Sequence, residues 1–335
     1  MMIDLHSHLL PDHLPDFNQQ GQSGFPTIEG QGDQRQIMQG GKFFRAIGRT
    51  SFDMAHRIEA YERHGVKVQV VCTVPVMFSY DQPARQAAEF ARFLNDHIAG
   101  QAQRWPDRVI SLGTLPMQDT ELAIREAEYC ARELRLPGIQ IGSNVNDRNL
   151  DDEGIIEILA ACEALGLAVL VHPWNMMGQD KMPDYWLPWL VGMPAEVSRA
   201  ICSMIFGGVF ERLPDLRVCF AHGGGAFPFT IGRIEQGFRM RPDLVAHRNP
   251  VNPRDYIGRF WVDSVTHDAQ ALRYLVDVMG TDKVILGTDY PFPLGEQRPG
   301  EALTAMNPTR EEDRLIRWRN ALDFLNLPAD DFGLN

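Results

Sequence analysis

Ile3-Asp4-Leu5-His6-Ser7-His8 is the stretch on which the reading of this chain turns. It begins apolar, as a strand entering a core does, and carries two imidazoles two residues apart. Side chains of a strand alternate between its faces, so His6 and His8 project to one side and can converge on one divalent cation. Ordinary core or surface histidines produce the same pair, so the discriminating information lies in how the other strands end.

Outward from that stretch, strand and helix alternate strictly. A helical pattern over 53–64 leads into the β-branched run 66–75, and further strands fall at 109–115, 138–142 and 167–173, separated by helical patterns over 82–103, 120–133 and 152–165. A Trp- and Met-rich insertion occupies 174–193. A helix over 195–211 then precedes a strand at 216–222, and another helix begins near Phe227. The last strands, 260–264 and 283–289, are followed by helices over 269–278 and 310–325. Such alternation is the signature of a parallel sheet. Eight strands and eight helices predict an α/β fold, a (β/α)8 TIM barrel forming one domain over residues 1–335, with a doubly wound open sheet as the other arrangement. The insertions follow strand one (9–52) and strand five (174–193). The first is rich in Gly, Gln, Pro and Asp without a clear period and reads as a lid.

A length of 335 residues suits such a barrel, and 44% hydrophobic with 23% charged residues is globular composition. The formal net charge of −12, with no basic run, argues against nucleic acid or an anionic membrane as partner. Cys72, Cys130, Cys162, Cys202 and Cys219 lie far apart in apolar patterns and read as reduced core residues. Asp4, His6 and His8 stand where a signal peptide needs an apolar stretch, so the expected compartment is the cytoplasm.

Functional groups of a parallel barrel gather at the C-terminal ends of its strands. The polar residues there are His6 and His8 on strand one, His172 on strand five, His222 on strand six and Asp289 on strand eight. Singly, His172 reads equally as a core histidine, and Asp289 as a helix cap before Pro291. Jointly, imidazoles and a carboxylate suit a borderline cation such as zinc, with water in the remaining position. Strand four, Gly138-Ile139-Gln140-Ile141-Gly142, offers no lysine to bridge a second metal, so one ion is expected.

With these residues in place, the chain resembles the 2-amino-3-carboxymuconate-6-semialdehyde decarboxylases of the amidohydrolase superfamily. The likeness runs end to end, through Ile3–His8, Thr73–Tyr80, His172-Pro173-Trp174, Trp186–Glu196, Ala221–Gly225 and Gly287–Glu296. The Val76-Met77-Phe78 and Trp186-Leu187-Pro188-Trp189 segments are the most specific. The resemblance implies one Zn2+ per chain on His6, His8, His172 and Asp289, with His222 as the catalytic histidine. It also implies that Arg45 binds a carboxylate of a small dicarboxylate substrate, and that Arg233 reaches the neighbouring active site of a homodimer. Trp189, Trp174 and Phe292 match aromatic residues around the substrate. One departure is Asn175, where relatives carry Asp.

Rival readings are a hydroxybenzoate-type decarboxylase, a mononuclear zinc hydrolase of the same superfamily, and a non-catalytic zinc protein. Arg45, Arg233 and the Trp-rich insertion favour the polycarboxylate decarboxylase, and a structural zinc site has no need of His222.

Overall fold

The computed structural model describes residues 1–18 and 24–333; residues 19–23 of the expected lid and 334–335 lie outside the described residues. β1 (Met2–His8) is followed by β2 (Thr27–Gln31), β3 (Gln34–Gln39) and β4 (Lys42–Ile47). Then come β5 (Val66–Cys72), β6 (Val109–Thr114), β7 (Gly138–Gly142), β8 (Ala168–His172), β9 (Val218–Phe220), β10 (Trp261–Asp263) and β11 (Val284–Ile285). β1 and β5 to β11 form one parallel sheet in chain order. It closes on itself: Leu5 N donates to Leu286 O at 2.8 Å, Asp289 N donates to His6 O at 2.8 Å, and Ser7 bridges Tyr290. This is the expected barrel and excludes the open doubly wound sheet.

The helices between the strands are α1 (Met54–Glu62), α2 (Ala84–Arg104), α3 (Thr120–Arg132), α4 (Glu153–Ala164) and α5 (Met193–Phe206). Phe227–Met240, Ala269–Met279 and a run over 310–325 complete the ring. One device starts four of them. Asp53, Asp119, Asp152 and Asp268 each accept a backbone N–H of the first turn, satisfying a donor that the helix itself leaves unpaired.

Two apolar layers follow from the alternation of each strand. Ile139, Ile141, Val169, Val171, Phe220 and Val262 face outward onto helix residues such as Leu159 and Ile201. Leu5, Val70, Leu112, Leu170, Cys219 and Ile285 fill the interior together with Leu322 and Phe324 of the last helix. The polar strand-end residues are thereby gathered at the opposite end of the barrel.

The lid departs from its expectation of irregular chain. β2, β3 and β4 pair antiparallel into a small sheet, whose Ile37 and Ile47 pack with Leu10, Phe25, Val74 and Phe90. Polar residues on both faces hid the period of two, because only a few side chains reach the core. The expected helix over 195–211 is divided at Gly207-Gly208, where Gly208 takes φ 72° between Met193–Phe206 and Val209–Arg212. Of the expected last strand, only Val284–Ile285 is paired as strand; the following residues bend inward toward the site. All five cysteines are free, four buried and Cys202 half-buried. Among the described residues no helix is long and apolar enough to cross a membrane.

Candidate active site

Period-two alternation brings the ring nitrogens of β1 together: His6 Nε2 and His8 Nε2 are 3.2 Å apart. Asp289 Oδ1 lies 2.9 Å from His8 Nε2, 3.5 Å from His6 Nε2 and 3.8 Å from His172 Nε2, while Asp289 Oδ2 is 3.6 Å from His222 Nε2. His6, His172, His222 and Asp289 present donor atoms all within 4.8 Å of one another, a set able to hold a metal ion, and His8 adjoins it. The ring nitrogens turned away from this point are anchored. His6 Nδ1 sits 2.7 Å from Asp263 Oδ2, His8 Nδ1 2.9 Å from Thr73 O, and His172 Nδ1 2.9 Å from Pro173 O. Partners of this kind fix the tautomer and aim Nε2 at the common point.

The backbone that delivers these groups is unusual. His222 and Asp289 both have left-handed φ, 55° and 56°, a conformation that non-glycine residues adopt rarely and chiefly where the surrounding structure enforces it. The glycines after His222 continue the turn; a Cβ on Gly225 would lie 2.2 Å from Pro194 O. Asp263 Oδ1 accepts Gly223 N at 2.9 Å, so one carboxylate holds both His6 and the His222 turn. Fully buried Arg57 donates to Gln69 Oε1 at 2.6 Å and to the His8 carbonyl, fixing the end of β1.

Burial pushes His172 down to about 3, outweighing the pull of the nearby Asp289 carboxylate, and it likewise lowers His8. Burial opposes charge on His6 too, but the Asp263 hydrogen bond and the charge of Asp289 raise it above its usual value. For Asp289, burial is overcome by the imidazoles of His172, His222 and His8 beside it, which hold it well below the usual carboxylate range. The neutral forms favoured at His172 and His8, beside an ionised Asp289, are protonation states a metal requires. Two buried nitrogens aimed at the centre, His172 Nε2 and His222 Nε2, have no hydrogen-bond partner. Because buried polar atoms are almost always satisfied, the residues fit a cation at that point.

Two cavities meet at Asp289. A narrow one of about 30 Å³ is lined by His8, Phe44, Arg45, His172, Trp174, Trp189 and Phe292, among others. The Arg45 guanidinium carbon stands 4.5 Å from the Phe292 ring centroid, and burial lowers the arginine's pKa against the attraction of Asp289. The wider cavity, of about 680 Å³, opens past His222, Trp189 and Met193 toward His267 and Tyr274. The structure thus gathers His6, His8, His172, His222, Asp289, Arg45, Trp174, Trp189 and Phe292. Arg233 does not join them: it is exposed on the Phe227–Met240 helix and lines neither cavity of its own chain.

The amidohydrolase family model matches residues 3–327. Over 99% of its length the chain is 54% identical to the 2-amino-3-carboxymuconate-6-semialdehyde decarboxylase of Dictyostelium discoideum, covering 93% of that protein. The chain belongs to the 2-amino-3-carboxymuconate-6-semialdehyde decarboxylase family. As a member it is an enzyme, a carboxy-lyase on an amidohydrolase barrel. The IDCase of Metarhizium anisopliae has the same fold, with TM-score 0.84, 22% identity and 97% of both chains covered. A 5-carboxyvanillate decarboxylase of Novosphingobium aromaticivorans, solved with manganese, superposes with TM-score 0.75 at 25% identity over 83% of this chain and 82% of that one.

Against this family background, two features had escaped the sequence reading, the partner of His6 and the role of Phe44. Asp263 was legible as one more strand-end carboxylate, but nothing local pairs it with His6. Phe44, beside Arg45, closes the pocket with its ring 6.1 Å from Trp174 and 6.4 Å from Trp189. The exposed Asn175 has φ 50°, so the departure from Asp sits in a left-handed turn where Asn is well tolerated.

Proposed function

We propose that this enzyme carries out the non-oxidative, oxygen-independent decarboxylation of 2-amino-3-carboxymuconate-6-semialdehyde to 2-aminomuconate-6-semialdehyde, using one zinc ion. The observation that carries the reading is a cluster of imidazoles and a carboxylate beside a half-buried arginine in an aromatic pocket. His6, His8, His172 and Asp289 would hold the ion. A bound divalent cation supplies the charge that brings the pKa of a water to near 7. His222, the least buried of the four imidazoles with a side chain 13% exposed, takes a proton from water and returns one to substrate carbon. Hydroxide adds across the double bond next to the departing carboxylate, and the neighbouring carbon is protonated. The carbon–carboxylate electron pair then re-forms the double bond as carbon dioxide and hydroxide leave, the hydroxide taking up a proton from solvent, so no free carbanion arises.

Arg45 pairs with one substrate carboxylate in a planar fork, and desolvation by Phe44 and Phe292 strengthens that pairing. The second carboxylate is met by Arg233 of a neighbouring subunit in a homodimer. Support for the dimer is the exposure of Arg233 one helical turn after Phe229, which with Tyr274 lines the wide cavity and leaves apolar side chains 80% and 42% exposed. The reaction belongs to tryptophan breakdown at the kynurenine–quinolinate branch, or to nitroaromatic breakdown, in the cytoplasm.

The test is the loss of near-ultraviolet absorbance of freshly generated substrate, with wild type and His222→Ala compared at equal zinc content. Fast loss with carbon dioxide release in wild type alone supports the reading. Equal, slow cyclisation in both would overturn it and move the search to hydroxybenzoate acids and hydrolase substrates.

A further inference from the structure

We propose that Glu196 is a positioning residue of this active site, whose buried carboxylate fixes Trp174 relative to Trp189. Glu196 lies in the first turn of α5 and is 0% exposed. Its Oε1 accepts from Ser143 Oγ at 3.1 Å, from Asn144 Nδ2 at 2.9 Å and from Arg199, and its Oε2 accepts from the Met177 backbone N–H at 3.0 Å. A buried carboxylate is tolerated when its acceptor sites are filled in this way.

What these donors do beyond neutralising the charge gives the network its function. Ser143 and Asn144 follow β7 directly and hold both ends of the Trp174 peptide unit. Trp174 N donates to Ser143 Oγ at 3.2 Å, and Asn144 Nδ2 donates to Trp174 O at 2.8 Å. Met177 closes the same segment from its other end. The chain that leaves metal-facing His172 is therefore pinned at 174 and at 177 by one carboxylate and its two neighbours. That carboxylate rides on the helix whose preceding turn, Pro188–Gly192, carries Trp189. Glu196 so couples the two tryptophan walls, while Phe44 reaches the pocket from β4 of the separate lid sheet. In a cavity of about 30 Å³ the spacing of those walls decides whether a carboxylate reaches Arg45.

Glutamine in place of Glu196 keeps the shape but offers one acceptor oxygen and an NH2. Either the Met177 N–H or the Asn144 and Ser143 donors then face another donor. Glu126 serves as the control: it is also buried, bound by Arg92 and Asn95 between α2 and α3, away from both cavities.

The experiment compares Glu196→Gln, Glu196→Ala and Glu126→Gln as zinc-loaded full-length protein. Hydrogen exchange of the 174–177 amides reads the clamp without reference to substrate, and steady-state kinetics reads its consequence. The kinetic arm rests on the decarboxylase reading. Expected are about tenfold faster exchange at 174–177 and a KM raised about tenfold with kcat within about threefold, at unchanged zinc content, for both Glu196 variants. Glu126→Gln changes exchange only near α2 and α3 and leaves KM alone. Unchanged exchange at 174–177 in Glu196→Ala, or a KM that moves no more than in Glu126→Gln, would overturn the proposal. Wild type that turns over no substrate counts against the decarboxylase reading, and the exchange arm then decides the clamp.

Discussion

His6 Nδ1 and Asp263 Oδ2 meet at 2.7 Å across the barrel, with both side chains fully buried. The same carboxylate receives the Gly223 and Val265 backbone N–H groups through Oδ1. One side chain therefore orients an imidazole of the candidate metal site and the turn that presents His222.

Asp263→Asn retains an acceptor for one side of this arrangement and loses the anion facing His6. Metal affinity and activity are expected to fall by about 10- to 100-fold. Zinc retention during dialysis against a graded chelator, alongside kcat, measures it. A change below about threefold would show that His6 needs no such partner.

Arg45→Lys keeps the charge but loses the fork, and Arg45→Ala loses both. Charge-assisted hydrogen bonds are worth about 1.5–3 kcal/mol, so kcat/KM for the alanine variant should drop by about 10- to 150-fold. Lysine should recover only part of the loss. Full recovery by lysine would mean that the site reads charge alone.

The proposed sharing of the active site between subunits is tested at Arg233 by a mixing experiment. Arg233→Ala and His222→Ala homodimers are each expected to be nearly inactive. Unfolded and refolded together, they form hybrids in which one of the two sites carries native His222 and the partner's native Arg233. Activity should return to about a quarter of wild type. Mixtures that stay inactive would place Arg233 outside the neighbouring site.

Away from the chemistry, Glu312 gives a pH signature of stability. The hydrogen bond from Arg273 and the Thr309 backbone N–H hold its carboxyl at about 2, against an ordinary 4.5. A depressed carboxyl stabilises the fold above the unfolded value and loses that contribution as pH falls through the folded one. Glu312→Gln should therefore flatten the acid limb of the denaturation profile between about pH 5 and 2. Because the pair is largely solvent-screened, the effect is at most about 1 kcal/mol. An unchanged limb would mean that the pairing does not persist in solution.

Several features were legible in the chain because they depend on local period. Alternation in β1 placed His6 and His8 on one face, and apolar runs leading to His172, His222 and Asp289 announced where strands end. The three glycines after His222 likewise signalled a turn that side chains do not permit. The three-stranded sheet in the lid was not legible, since Gln34, Gln36 and their neighbours give its faces too little contrast.

What only the tertiary structure decided was which distant groups meet. Asp263 and His6 are 257 positions apart, and Phe44, Trp174 and Trp189 form one pocket from three separate segments. Closure of the barrel sets these distances, and no local propensity encodes them. The residue types able to bind a metal and a dicarboxylate stood in the sequence by itself; the packing of eight strands into a closed sheet chose their partners, their burial and hence their charge.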